Sequence, residues 1–243
     1  MNTQILLAKR PNGMLKDTDF DLKITAIPTI SEGQILIKNE YISLDPAMRG
    51  WMNEGTTYIP GVALGSVMRA FAAGQVVESK NPDFTEGAYV VGLTGAQTYS
   101  VSDGRGLSKV DLSLGSLSGH LGILGMPGMT AYFGLLDAGL PKDGDTVVAS
   151  GATGAVGATV GQIAKIKGCR AVGIAGGPEK CDYAVNTLGY DACIDYKNQD
   201  VRKGLKEHCP KGVDVYFDNV GGEILDTVLT RTNLHARDRK SVV

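Results

Sequence analysis

The chain has 243 residues, with 24 Lys and Arg against 26 Asp and Glu, a formal charge of −2 and an apolar fraction of 43%. Those values describe an ordinary globular chain of one large or two smaller domains. They exclude a disordered segment, a coiled coil and a general nucleic-acid binder, which needs a basic excess to neutralise phosphates. Glycine is over-represented at 33 residues without a collagen repeat, so it must serve turns and close backbone approaches.

The first ten residues do not read as a secretory leader, because the apolar run is short and charge follows it. From there to residue 118, short stretches rich in Val, Ile and other apolar residues predict strands over 34–39, 62–71, 75–78 and 88–93. Pro28, Gly33, Pro60-Gly61, Gly74, Asn81-Pro82 and Gly87 punctuate them, and strands at this spacing suggest a small barrel. Residues 44–51 interrupt the pattern and carry the only Trp. Two uncharged stretches, 112–136 and 146–164, imitate membrane spans, but both are rich in Gly. They read as loop–helix and strand–turn–helix segments, with no membrane partner.

From residue 119 the pattern becomes strand–helix alternation. Strands are predicted at 146–150, 170–175, 192–196 and 213–220. Helices are predicted at 154–167, 178–188 and 200–208, and a fourth begins at 223–230. In the first helix Val156, Val160, Ile163 and Lys167 fall on one face. Alternation at this period means βαβ units and a doubly wound parallel sheet covered by helices, so the fold class is α/β.

The most informative segment is Thr146–Gly157, an apolar strand, a small-residue turn and a helix. The G-x-G-x-x-G fingerprint falls on Ala152, Gly154 and Gly157, with Ala in the first place. Gly154 lets backbone approach a pyrophosphate, Gly157 lets the helix pack closely, and the helix N-terminus offers N–H groups to phosphate. A tight turn without a ligand is the plainer alternative.

An NAD enzyme places Asp or Glu at the end of the second strand, to hold the ribose 2′-hydroxyl. Here that place is Ala175-Gly176-Gly177, with no carboxylate at the strand end and Glu179 following in the helix beside Lys180; small residues leave room for a 2′-phosphate that Lys180 can neutralise, which favours NADP over NAD.

Other chemistries find no support. None of the nine tyrosines has Lys four residues on, and there is no P-loop and no G-x-S-x-G elbow. The first 119 residues contain neither Cys nor His, so a catalytic zinc cannot be built from them, and no metal is expected. His120 reads as a packed or capped histidine. Cys169, Cys181, Cys193 and Cys209 form no C-x-x-C pair and read as idle thiols of a reducing, cytoplasmic compartment.

Several separated motifs now stand in one order. They are Leu124-Gly125-Met126-Pro127-Gly128-Met129-Thr130-Ala131-Tyr132, the glycine turn, Glu179-Lys180, Asp195-Tyr196-Lys197 and Phe217-Asp218-Asn219-Val220-Gly221-Gly222. The chain resembles the zinc-free branch of the medium-chain dehydrogenase/reductase superfamily, and within it the NADP-dependent alkenal and curcumin reductases (leukotriene 12-hydroxydehydrogenase/prostaglandin reductase-like proteins). The resemblance implies a GroES-like β-barrel substrate domain over 1–118, a Rossmann NADP-binding domain over 119–237, and a homodimer. It implies reduction of the C=C bond of α,β-unsaturated ketones or aldehydes by NADPH.

By motif position, Met126 to Thr130 would lie near the nicotinamide. Ala152, Thr153, Gly154, Ala155, Val156 and Gly157 would hold the pyrophosphate, Gly177, Lys180 and Tyr196 the 2′-phosphate side, and Asn219 the ribose–nicotinamide side. The family's main catalytic tyrosine lies past the last residue here. Tyr58 is the weaker candidate, with a surface-loop aromatic as its alternative.

Ala47 replaces an aromatic that the family often carries, which affects substrate size. Family members run roughly 90–100 residues further, enough to complete a domain of ordinary size. The expectation is therefore a truncated chain with a non-native tail at 238–243, an open sheet edge, poor solubility and no turnover by itself. Quinone reduction within the same superfamily and non-catalytic NADP binding are the alternatives.

Overall fold

In the computed structural model residues 1–55 and 59–240 are described, and they form two compact units divided between Leu121 and Gly122. The first unit carries strands β1 (Asn2–Leu7), β2 (Phe20–Thr25) and β3 (Ile35–Ile42). Helix α1 (Ala47–Trp51) follows, then β4 (Ala72–Ser79), β5 (Tyr89–Gly92), β6 (Tyr99–Ser102) and β7 (Ser108–Lys109). Strands β1 and β2 pair antiparallel; the others form an antiparallel sheet in the order β6-β3-β4-β5-β7. The two sheets are stitched together by backbone bonds such as Ile5 N–H to Ala96 O and Thr98 N–H to Thr3 O, both 2.9 Å.

One core gathers Leu7, Met48, Trp51, Met52, Met68 and Ala70, and another Ile35, Ile37, Val76, Phe84 and Val90. Trp51 is buried, with the Arg69 guanidinium 5.5 Å from its ring centroid.

Residues 62–71 do not form the expected strand. Gly65, at φ +77°, turns the chain there, and the backbone bonds are shared out. Leu7 N–H donates to Ser66 O, Met68 N–H to Ile5 O and Ala96 N–H to Met68 O, so neither neighbour gains a continuous ladder.

The second unit holds α2 (Met126–Phe133), β8 (Thr146–Ser150), α3 (Ala155–Ile166) and β9 (Arg170–Ala175). It continues with α4 (Pro178–Asn186), β10 (Ala192–Asp195), α5 (Val201–His208), β11 (Val213–Asp218), α6 (Gly222–Leu229) and β12 (Thr232–Lys240). All five strands are parallel, in the order β10-β9-β8-β11-β12.

Alternate strand residues serve opposite faces. Val147, Ala149, Ala171, Val215 and Phe217 pack with Ala131, Val160, Ala164 and Ala184 of α2, α3 and α4. Val148, Val172, Ile174, Ile194 and Tyr216 pack with Leu205 of α5 and Val228 of α6. The sheet is doubly wound, and the two membrane-like stretches are resolved into these helices and β8. No helix of the described residues is long and apolar enough to cross a membrane.

Two corrections follow. The buried face of α3 is Gly157, Val160, Gly161 and Ala164; Val156 and Ile163 flank it and Lys167 is exposed. Glycine sets that choice, because Gly161 brings α3 against the Tyr190 ring, where a methyl group would overlap it. The strand expected to run to Val220 stops at Asp218, whose carboxylate accepts the N–H groups that follow. Asp238, Arg239 and Lys240 lie in β12 opposite Tyr216, Phe217 and Asp218 of β11.

Candidate functional site

The chain runs outward from β8 to β9 to β10, then crosses to β11 on the other side of β8. The order reverses between β8 and β11, and in open parallel sheets ligands bind at that point, beyond the carboxyl ends of the strands. Ser150, Ala175, Asp195 and Asp218 end the four strands on that edge.

The turn after β8 is built to be shallow. Gly151 sits at φ +60°, and Gly154 N–H donates to Gly151 O at 2.9 Å. Ala152 is fully buried, its N–H on Ile174 O of β9 at 3.1 Å, and Gly173 beside it leaves room for its methyl group. A Cβ on Gly157 would collide with Gly151 O, so glycine there lets α3 start against the turn.

Gly154 caps α3 without a side chain, and the first helical bond is Ala158 N–H to Gly154 O at 2.8 Å. The N–H groups of Ala155, Val156 and Gly157 precede that bond and point out of the helix start, where the helix dipole favours an anion.

The second loop lies at the end of β9. Gly177, at φ +101°, caps α4, and Pro178 opens the helix. A carboxylate does reach this loop, which the sequence reading did not foresee. It is Asp195, from β10 rather than β9, and it faces inward. Its Oδ1 accepts Gly177 N–H at 2.8 Å and Lys197 N–H at 3.0 Å, and its Oδ2 accepts the Asn198 amide at 2.7 Å. The Asn198 and Gly177 bonds hold its carboxyl below the usual carboxylate range. Both oxygens are occupied, so Asp195 shapes the loop and leaves no acid for a ribose.

Lys180 is exposed in the first turn of α4, where a cation opposes the helix dipole. Tyr196 follows β10 with its ring over Gly176, which has no room for a Cβ, and is 45% exposed.

The third part is the end of β11. Asn219 N–H donates to Ser150 Oγ at 2.9 Å and its side-chain amide to Ser150 O at 2.8 Å, tying the two strand ends together. Asp218 is fully buried, and its Oδ1 accepts Ser150 Oγ, Tyr216 OH, Val220 N–H and Gly221 N–H. Its Oδ2 has no partner among the described residues. Sequence reasoning missed Asp218 and Ser150. The available signal was an Asp directly before an Asn and two glycines, the pattern of a carboxylate that closes its own turn.

The structure therefore brings Ala152, Thr153, Gly154, Ala155, Val156, Gly157, Gly177, Lys180, Tyr196 and Asn219 to one edge of one sheet. Met126 and Thr130 sit on α2, which packs against α3, and Thr130 Oγ1 donates to Met126 O at 2.8 Å. His120 is capped, its Nδ1 donating to Ser116 O at 3.0 Å. Tyr58 lies outside the described residues.

Family models match both units: "N-terminal domain of oxidoreductase" over residues 3–110 and "Zinc-binding dehydrogenase" over 155–237. The NADPH-dependent curcumin reductase of Escherichia coli is 48% identical over 97% of this chain and 68% of its own length. A 2-alkenal reductase (NADP(+)-dependent) of Nicotiana tabacum is 42% identical over 97% of this chain and 71% of its own. The structure of CurA from Vibrio vulnificus in complex with NADPH superposes with a TM-score of 0.92 at 46% identity, over 97% of this chain and 70% of that one.

The chain belongs to the zinc-free medium-chain dehydrogenase/reductases.

In that family frame the first unit is the GroES-like β-barrel half and the second the Rossmann half. The residues present fit a phosphorylated dinucleotide. The turn is closed to side chains at Gly157, the start of α3 offers uncapped N–H groups, and the loop at the end of β9 presents Lys180 beside Glu179, with the Asp195 carboxylate taken up by its own loop.

Proposed function

We propose that this protein reduces the carbon–carbon double bond of α,β-unsaturated ketones and aldehydes with NADPH. The observation that carries the reading is the 48% identity to a curcumin reductase across 97% of the chain, and the open helix starts of α3 and α4 support it.

Bound NADPH supplies a hydride to the β-carbon of the enone, leaving charge on the carbonyl oxygen as an enolate. The chain's own residues bind and orient. Ala152 to Gly157 form the turn that receives the pyrophosphate, with the backbone N–H groups of Ala155, Val156 and Gly157 facing it. Lys180, with Tyr196 beside Gly176 and Gly177, receives the 2′-phosphate. Asn219, fixed by Ser150, marks the nicotinamide-ribose side, and Met126 and Thr130 of α2 bound the nicotinamide end. Tyr58 remains our assignment for the substrate pocket.

We assign residues 1–118 to the substrate half and 119–237 to the cofactor half, in a homodimer measurable by sedimentation velocity. A cytoplasmic location fits four cysteines that are all free thiols.

The test follows NADPH absorbance with an alkenal, a quinone and no acceptor. In a full-length protein carrying this sequence, alkenal-dependent oxidation of NADPH, with NADH poorer, is expected, while the 243-residue chain by itself is expected to bind NADPH without turnover. Turnover with the quinone alone would reassign the substrate class, and calorimetry showing equal affinity for NADPH and NADH would overturn the cofactor reading.

A further inference from the structure

Two thiols meet beneath the first turn of α4, outside the contacts described above. Cys181 is on that turn, directly after Lys180, and Cys193 is on β10, two residues before Asp195. Their Sγ atoms are 3.0 Å apart, the Cys193 thiol donating to Cys181. Both are free and half-buried, whereas Cys169 and Cys209 are buried. A disulfide bond is about 2.05 Å long, so these sulfurs need to approach by only about 1 Å.

The surroundings divide the roles. Burial, then the neighbouring Cys181, pushes the Cys193 thiol well above the ordinary thiol range. We take Cys181, in the first turn of α4, as the attacking sulfur and Cys193, on β10 within the sheet, as the resolving one.

The pair also sits where movement has an address. Cys181 N–H donates to Gly177 O at 3.2 Å, and Gly177 N–H donates to Asp195 at 2.8 Å. Drawing Cys181 toward β10 shifts Gly177 and Lys180 together.

We propose that Cys181 and Cys193 form a reversible disulfide, a redox-modification site that weakens the hold of the α4 turn on NADPH. The coupling half of this statement rests on the reading that this turn receives the 2′-phosphate. The oxidant is a small-molecule disulfide. The Cys181 thiolate attacks one of its sulfurs, giving a mixed disulfide and one small thiolate. The Cys193 thiolate then attacks Cys181 Sγ and expels the second. Two electrons pass to the small disulfide, and the two cysteine protons end on the two thiols released.

The experiment equilibrates the full 243-residue chain in reduced and oxidised glutathione mixtures, alkylates the free thiols and maps the peptides by mass. The expected product joins the Cys181 and Cys193 peptides with loss of two hydrogens, leaves Cys169 and Cys209 as thiols, and reverts on reduction. The oxidised form is expected to bind NADPH about fivefold more weakly. By linkage, saturating NADPH shifts the oxidation midpoint by the same factor. Cys181→Ser, and independently Cys193→Ala, should abolish both effects.

Absence of the 181–193 cross-link at every glutathione ratio overturns the proposal. A cross-link with unchanged NADPH affinity overturns the coupling. A reduced chain without NADPH affinity overturns the dinucleotide reading and the coupling with it, while the cross-link is judged by mass alone.

Discussion

Asp218 and Lys180 show how differently single side chains act at this edge. Asp218 concentrates four donors on one buried oxygen. Asp218→Ala would leave Ser150 Oγ, Tyr216 OH and two turn N–H groups without that acceptor. Each buried unsatisfied group costs about 1–3 kcal/mol, and partial rearrangement will spare some of it. A loss of about 3–5 kcal/mol is expected, read from the urea midpoint.

Lys180 is the opposite case, exposed and held by nothing among the described residues. Lys180→Met should weaken NADPH about tenfold in calorimetry, equal to about 1.4 kcal/mol, while leaving NADH unchanged. The same change should leave the apo protein as stable or slightly more stable, because a cation is removed from a helix start.

At this scale the sequence already announced the glycines and Lys180, since their reasons are local: a fingerprint spacing and a missing acid. It did not announce Asp195 and Asp218. Their partners lie on other strands, and only the parallel sheet brings them together.

Among the elements, the second unit was read closely up to β11, because each strand from β8 to β11 is a short apolar run and each helix is bounded by Gly, Pro or Asp. β8 and β9 match their expected limits, and Asp200 caps α5 by accepting Lys203 N–H at 3.0 Å. In the first unit β3, β4 and β5 fall on the runs expected at 34–39, 75–78 and 88–93, whereas β1, β2, β6 and β7 were not foreseen. β2 exposes Leu22 and Ile24, so its pattern does not separate an inside from an outside. Residues 62–71 are apolar enough for a strand but divide their backbone bonds between β1 and the segment at Ala96. β12 is an edge strand rich in charge, a composition that hides edge strands from pattern reading.

Two predictions belong to α3. Gly157→Ala places a methyl group on Gly151 O, so α3 must back away from the turn. A cost of about 1–3 kcal/mol is expected, with NADPH affinity falling further than stability, measured by thermal melting and calorimetry together.

Lys165 of α3 pairs with Asp191 at 2.7 Å, and Asp191 also accepts Ala171 N–H at 2.8 Å. Desolvation raises the Asp191 carboxyl, but the Lys165 and Ala171 bonds outweigh it and its pKa is lowered overall. A depressed folded value means the stabilisation is complete above the ordinary carboxylate range and is lost as pH falls through the lower, folded value. Asp191→Asn should therefore lower the melting temperature near neutrality and flatten its acid limb, as a pH series of melts will read.

For the whole molecule, two units with separate cores make ligand linkage a test of where the cofactor binds. A ligand present at about 100 times its dissociation constant stabilises the unit that holds it by about 2.7 kcal/mol. NADPH should raise the melting of the second unit, followed by protection of β8 and β11 amides in hydrogen exchange. The β3 and β4 amides should change far less. Protection confined to the first unit would contradict the placement.

The contact between Gly161 and Tyr190 has a historical consequence. The Tyr190 hydroxyl donates to Gly157 O at 2.6 Å while its ring fills the space beside Gly161. Neither position is free to drift alone. A larger residue at 161 needs a smaller one at 190, and a smaller one at 190 gives up the hydroxyl's bond to a carbonyl in the helix that begins the phosphate cradle. Descendants of this chain should change both positions together or neither.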